Sequence, residues 1–525
     1  MIEQTKDKEI KKGINQGVIQ GKAEDKFEEV KKIVWDACNI FRGSMDATSY
    51  KDFILHMLFL KYISDIQEAL LEEMPANIKG HKDREESYRE SLDFNIPDNA
   101  TFNAIYKQKN TDQPLGAIID KAFADIKEYD EVNKDKLEDV FQGVKFNSPI
   151  LLGGIQSSND LLRQLLEAFN KLDLRPQPDM SDIIGETYMF LIERFASDAG
   201  KKAGEFFTPR QISRLLAKLA DPSAHDNVCD PAAGSGGLLL QVAAEVKPKK
   251  VFLHGMENNS GTWSLCKMNM FVHGHSGQNI HKCDSLLYPK LVDKNNKLQT
   301  FDLVVANPPF SLKNWGRDRV ENDTYGRFHR GIPPSKAADW AFITHMIESA
   351  KPGKGRVAVI TPHGVLFRGA AEGVIRQAFI QENLLDAVIG LPSNLFQTTG
   401  IPVAILIFDR KREEGGPRAD AKDVIFIDAS AEYIDERNQN SLSEEHLTKI
   451  IDTYKDRKEI KRYSRKVTLD EIKETGYNLN ISRYVDSFPE EEKVNVAKVQ
   501  KEILELESQL AKTQKQMKKF LEDIA

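Results

Sequence analysis

Apolar residues recur at three- and four-residue steps through Phe27, Val30, Ile33, Val34, Ala37, Ile40 and Phe41, which predicts an amphipathic helix. After a break at Gly43-Ser44, the segment YKDFILHMLFLKYISDIQEALLEEM is apolar on most faces over its first half. That is the pattern of a helix at the centre of a bundle. Residues 75 to 150 are more polar, with helical stretches interrupted around Pro97 and Pro114. The first 25 residues or so are polar and unpatterned and read as a frayed or extended leader. Residues 1–175 are therefore expected to form an all-α domain, closed by Pro176 and Pro178.

The middle of the chain changes period. Short apolar runs at Asn227–Asp230, Val251–Met256, Asn279–Lys282, Phe301–Ala306, Arg356–Thr361, Leu385–Ile389 and Val403–Phe408 read as strands. Helical patterns such as Leu238–Val246 and Asp339–Ser349 lie between them. This alternation predicts a mostly parallel, doubly wound α/β sheet with helices on both faces. Residues 176–488 are assigned to it.

Beyond Pro489 the positions Val499, Ile503, Leu506, Leu510, Thr513, Met517, Phe520 and Ile524 alternate steps of four and three. This is a heptad seam with Thr513 off-type. Residues 489–525 are thus expected to be a C-terminal helical extension. It packs either on its own domain or against a partner's helices.

At 525 residues the chain is too long for one core, and two to four domains are expected. No apolar run approaches a membrane span, and the N-terminus has no apolar signal core. Cys38, Cys229, Cys266 and Cys283 form no CxxC pair, so reduced thiols in a cytoplasm are expected, with no metal site. A formal charge of −7 excludes a surface that is basic all over. Any nucleic-acid contact would need a local patch or a basic partner. The basic clusters are KNWGRDR with Arg327 and Arg330, and KDRKEIKRYSRK at Lys455–Lys466. Each reads either as a solvated face or as phosphate-contacting.

Candidate chemistry collects at the ends of the strands. The first strand runs into DPAAGSGG, where Gly234, Gly236 and Gly237 precede a helix. Glycines there allow tight turns and close approach of a ligand to backbone N–H groups. The spacing departs from the dinucleotide G-x-G-x-x-G pattern, which disfavours a nicotinamide cofactor. Glu257 ends the second strand, where a carboxylate can take both hydroxyls of a ribose. Asp284 follows the third, in a position suited to an adenine amino group. Upstream, GEFFTPR sets two adjacent phenylalanines in a Gly- and Pro-bounded loop, which alone could be a plug in a core.

Taken in order, GEFFTPR, DPAAGSGG, GMEN, CDSL and NPPF resemble the modification (methyltransferase) subunit of type I restriction-modification systems. These are S-adenosyl-L-methionine-dependent DNA adenine-N6 methyltransferases. FRGSMDATSYKDFILHMLFLKYISD resembles that family's helical domain, and YNLNISRYVD its C-terminal element. The resemblance implies a Rossmann-like methyltransferase sheet. It implies that Glu205, Phe206, Phe207, Thr208, Pro209 and Arg210 wrap the methionine end of the cofactor. Asp230, Ala232, Gly234, Ser235, Gly236 and Gly237 would line that end and the ribose, Glu257 would hold the ribose, and Asp284 the adenine. It also implies three partners: double-stranded DNA, a specificity subunit holding two modification subunits, and a nuclease/translocase subunit.

Asn307, Pro308, Pro309 and Phe310 carry the expected chemistry. The amino group of adenine is a poor nucleophile because its lone pair is delocalised. The Asn307 side-chain oxygen and the Pro308 carbonyl can accept its hydrogens and free that pair. Two prolines preset the geometry, and Phe310 offers a stacking face. The target atom is inaccessible in a stacked duplex, so the base must be flipped out. Three alternatives stay open: an enzyme that reads DNA by itself, a methyltransferase for RNA or protein glutamine, and a non-catalytic scaffold.

Overall fold

The computed structural model describes residues 25–199, 208–487 and 496–524, apart from 43–44, 46, 93, 130–136, 138–139, 142, 149–153, 178–179, 276, 278, 322, 397–398 and 438. The helices before the sheet are α1 (25–41), α2 (Ala47–Glu72), α3 (Lys82–Glu90), α4 (Phe102–Lys107), α5 (Leu115–Glu128), α6 (Ile155–Phe169) and α7 (Met180–Ala199). α2 is buried almost all round from Phe53 to Ile63, as its unbroken apolar run requires.

The α/β region follows as α8 (Arg210–Ala220), β1 (Asn227–Asp230), α9 (Gly237–Glu245), β2 (Phe252–Glu257), α10 (Ser260–Val272), β3 (Ile280–Lys282) and β4 (Leu303–Ala306). It continues as α11 (Asp339–Glu348), β5 (Arg356–Pro362), α12 (Ala370–Gln381), β6 (Leu385–Gly390), β7 (Val403–Asp409), β8 (Asp423–Asp428), α13 (Glu444–Lys455), β9 (Ser464–Thr468) and α14 (Leu469–Glu474). These strands form one nine-stranded sheet in the order β3-β2-β1-β4-β5-β7-β6-β8-β9. The five strands β1–β5 run parallel, while β7 is antiparallel to both its neighbours and β9 is antiparallel to β8.

Alternate residues of the central strands serve two different cores. Leu303 and Val305 of β4 face one, and Val304 and Ala306 the other; β5, β7 and β8 repeat the pattern. Both faces are therefore covered, as the continuous apolar runs require. The first core is continuous with the buried side chains of the N-terminal helices other than α3, and α2 and α7 pack on α10, which flanks the sheet. No helix among the described residues is long and apolar enough to cross a membrane.

The chain winds outward from β1 to β3 and then returns to β4 on the other side of β1. Strand order reverses there, which opens a crevice between the carboxyl ends of β1 and β4. By contacts the chain divides into one unit ending at Val485 and a second, Asp486–Ala525. The second unit contains α15 (Val496–Ile524), on which Val499, Ile503, Leu506, Leu510, Met517 and Phe520 are all exposed.

Candidate active site

A cavity of about 480 Å³ opens where these strands end. That is the size range of small-molecule sites. Glu257, Asp284, Asn307 and Pro309 line it, together with Ala232 and Gly234 of the turn after β1. Glu257 is fixed by two backbone donors: Gly234 N–H gives to one carboxylate oxygen at 3.0 Å and Asn259 N–H to the other at 2.7 Å. Gly234 has φ of +53°, and a Cβ there would meet nothing within 4 Å. The wall is bare backbone at that point, and a side chain would fill the open space.

Gly236 has a different task. Its φ is +80°, and a Cβ would come within 2.5 Å of Met270 Cε and 2.8 Å of Cys266 Sγ. The turn is thus clamped on α10, reinforced where Asn269 Nδ2 donates to the Ser235 carbonyl at 2.8 Å. Ser235, Gly236 and Gly237 shape the turn and do not line the cavity. Asp230, only 2% exposed, accepts from Ala232 N–H at 2.9 Å beneath the same turn. Burial raises its carboxyl to about 7, the Ala232 bond opposing and the Glu257 charge adding to that.

Asp284 folds back on its own loop: one carboxylate oxygen accepts from Leu286 and Leu287 N–H at 2.9 and 3.0 Å. Asn307 follows β4 directly. Its Nδ2 donates to Thr208 Oγ1 at 2.7 Å, while its Oδ1 is buried with no hydrogen-bond partner among the described residues. A buried carbonyl oxygen left without a donor carries a free-energy cost, unless a ligand brings the donor. The residues after it are also anchored. Ser311, at φ +50°, donates its N–H at 2.8 Å to Asp339, which is 3% exposed and ion-paired at 3.2 Å to Arg368. Phe310 is half-buried and meets Phe396 edge-to-face at 5.8 Å. The aromatic residues that line the cavity are instead Trp315 and Phe342, together with Leu312.

Of the GEFFTPR segment, Glu205, Phe206 and Phe207 lie outside the described residues. Thr208 reaches Asn307; Pro209 is buried at the start of α8. Arg210 is exposed and ion-paired to Glu186, outside the cavity lining. Asn259 and Thr262 also line the cavity, at the capped start of α10, where Asn259 Oδ1 accepts from Thr262 N–H at 3.0 Å. The N-cap spacing was the available signal for them. Nothing in the pattern pointed to Asp339, Arg368 or Trp315.

The two arginines read as possible phosphate contacts are engaged inside the protein. Arg330, 6% exposed at its side chain, pairs with Glu348 at 2.5 Å and Glu382 at 2.7 Å. Arg327 is 1% exposed and pairs with Asp323 at 2.7 Å. Acids distant from or offset along the chain consume both charges.

The family model for N-6 DNA Methylase matches residues 179–493, and that for the HsdM N-terminal domain matches residues 30–169. The chain belongs to the N-6 DNA methylase family. The methylase subunit of the type I restriction enzyme MpnII from Mycoplasma pneumoniae is 30% identical over 530 residues, spanning 94% of this chain and 96% of the relative. The corresponding subunit of MjaVII from Methanocaldococcus jannaschii is 30% identical over 519 residues, spanning 95% and 85%. The solved structure of a type I restriction-modification methyltransferase subunit from Streptococcus thermophilus superposes with a TM-score of 0.78 at 32% identity. It covers 88% of this chain and all of that one. The protein is accordingly a type I methylase subunit, an adenine-specific DNA methyltransferase built on an α/β fold.

Proposed function

We propose that the cavity holds S-adenosyl-L-methionine across the ends of β1, β2 and β3, and that Asn307 presents an extruded adenine to it. The observation that carries this reading is the buried Asn307 Oδ1, which has no donor among the described residues, on a residue that lines one cavity with Glu257 and Asp284. Glu257 takes the ribose hydroxyls, Asp284 and its loop take the adenine end, and the bare backbone at Gly234 leaves the ligand room. Bound there, the cofactor supplies a methyl group on a sulfonium sulfur.

Asn307 Oδ1 and the Pro308 carbonyl accept the two N6 hydrogens of the target base and release its nitrogen lone pair. As the N–C bond forms and the S–C bond breaks, positive charge grows on that nitrogen. Both preorganised oxygens stabilise it more in the transition state than in the ground state. The proton then leaves to solvent, so no strong base is required. Phe310 supports the base, and Thr208 holds the Asn307 amide in register.

Specificity is delegated in this reading. The protein works in the cytoplasm, two copies on a specificity subunit, with a nuclease/translocase subunit able to join. Residues 1–175 contact DNA and partners, 176–488 carry catalysis, and the apolar seam of α15 docks on the specificity subunit's helices. The deciding experiment incubates DNA and labelled S-adenosylmethionine with the chain alone and with its specificity subunit. N6-methyladenine is expected only with both. Site-specific product from the chain alone would remove the need for the partner, and label in RNA or protein but not DNA would refute the substrate.

A further inference from the structure

Arg327 lies in the long segment between β4 and β5, yet two of its bonds reach the loop after β3. Its guanidinium donates to the Leu286 carbonyl at 2.8 Å and the Ser285 carbonyl at 3.2 Å. On its other side it donates to Asp323 at 2.7 and 3.1 Å. Nη1 also lies 3.1 Å from Nδ1 of His345. Burial, with Arg327 beside it, holds His345 well below its ordinary value, so the ring is neutral and Nδ1 can accept. A guanidinium that is always charged and only 1% exposed needs such full use of its donors.

The two carbonyls belong to cavity wall. Ser285 and Leu286 both line the cavity. Leu286 is gripped at both ends of its residue, its N–H by Asp284 and its C=O by Arg327. Around this grip Leu286, Trp315, Phe328 and Phe342 form a small apolar cluster, three of whose members also line the cavity. The segment that begins at Asn307 is thereby fastened to the loop that carries Asp284.

We infer that Arg327 is a positioning residue that sets the adenine end of the cofactor site by holding the Ser285 and Leu286 carbonyls of the Asp284 loop. The inference rests on the reading above, that the Asp284 loop receives the cofactor's adenine. Lysine cannot replace it, because a single ammonium does not span two successive carbonyls and a carboxylate in one plane.

The test titrates the full chain with S-adenosylhomocysteine and with its analogue bearing a 6-oxo group in place of the adenine amino group. Arg327→Lys is compared with the double variant Arg327→Gln/Asp323→Asn, which removes both buried charges together and strands neither. In both variants S-adenosylhomocysteine binding is expected to weaken about tenfold. The preference for it over the 6-oxo analogue narrows, and kcat at saturating cofactor in the complex with the specificity subunit changes little. Unchanged affinity would overturn the inference. So would weakened affinity with the preference intact, which marks a general structural role. So would a loss confined to kcat. Failure of the wild-type chain to bind S-adenosylhomocysteine would instead sink the functional reading on which the inference stands.

Discussion

Asn307 has an amide whose two ends face different demands. Its nitrogen donates to Thr208 Oγ1, and the oxygen points the other way. Asn307→Ala is expected to lower methylation by at least about 100-fold, the cost of losing one preorganised acceptor. Cofactor affinity should be largely preserved, and its collapse in a binding titration would contradict the assigned role. Thr208→Val releases the amide without changing its neighbours' volume much, and about a tenfold fall in kcat is expected. Asp230 makes a test through pH. Its carboxyl rises from an ordinary 3.8 to about 7 on folding. The folded state holds the proton more tightly, so the group's contribution to stability is complete below the unfolded value and is lost as pH rises through about 7. Against Asp230→Asn, the wild-type unfolding temperature should therefore drop between roughly pH 4 and pH 8. A gap independent of pH would refute this. At this scale the sequence was legible where a residue type stands at a strand end, as for Glu257, Asp284 and Asn307. It was not legible for Arg327 and Arg330, because a string of letters shows charges but not the acids that meet them.

Most of the strands were legible as short apolar runs between helical patterns. The seven expected strands lie within about two residues of β1 to β7; the central ones, β4 to β7, are buried on both faces and written as nearly continuous hydrophobic runs, while β3 at the edge is buried only at Ile280. β9 escaped because Arg465, Lys466 and Thr468 of SRKVT are exposed on an edge. β8, buried through its middle at VIFI, is as apolar as the strands that were read, and was not assigned from the sequence. The expected parallel sheet holds for β1 to β5, while β7 enters antiparallel between β5 and β6, a pairing that local patterns do not encode. The turn after β1 gives the prediction proper to this scale. Gly236→Ala forces a side chain into a left-handed position and against Met270 and Cys266. A loss of about 2 kcal/mol or more is expected. It should appear in denaturant unfolding, and an unchanged midpoint would mean that the turn yields at no cost.

On the scale of the whole chain, α15 exposes its apolar seam along its length. Ending the chain at residue 489 is expected to leave cofactor binding intact and to weaken association with the specificity subunit, measured by co-elution of the purified proteins. An undiminished complex would return the seam to the reading of a helix that needs no partner. A different consequence follows from the core that runs without a break from the N-terminal helices to one face of the sheet. The two family models meet end to end along the sequence, which suggests cassettes to be exchanged. Their shared interior argues otherwise. Recombination at residues 170–178 between diverged relatives would join surfaces whose side-chain volumes were fitted to other mates, and a well-packed interior tolerates such mismatch poorly. The halves are therefore expected to be inherited as one piece.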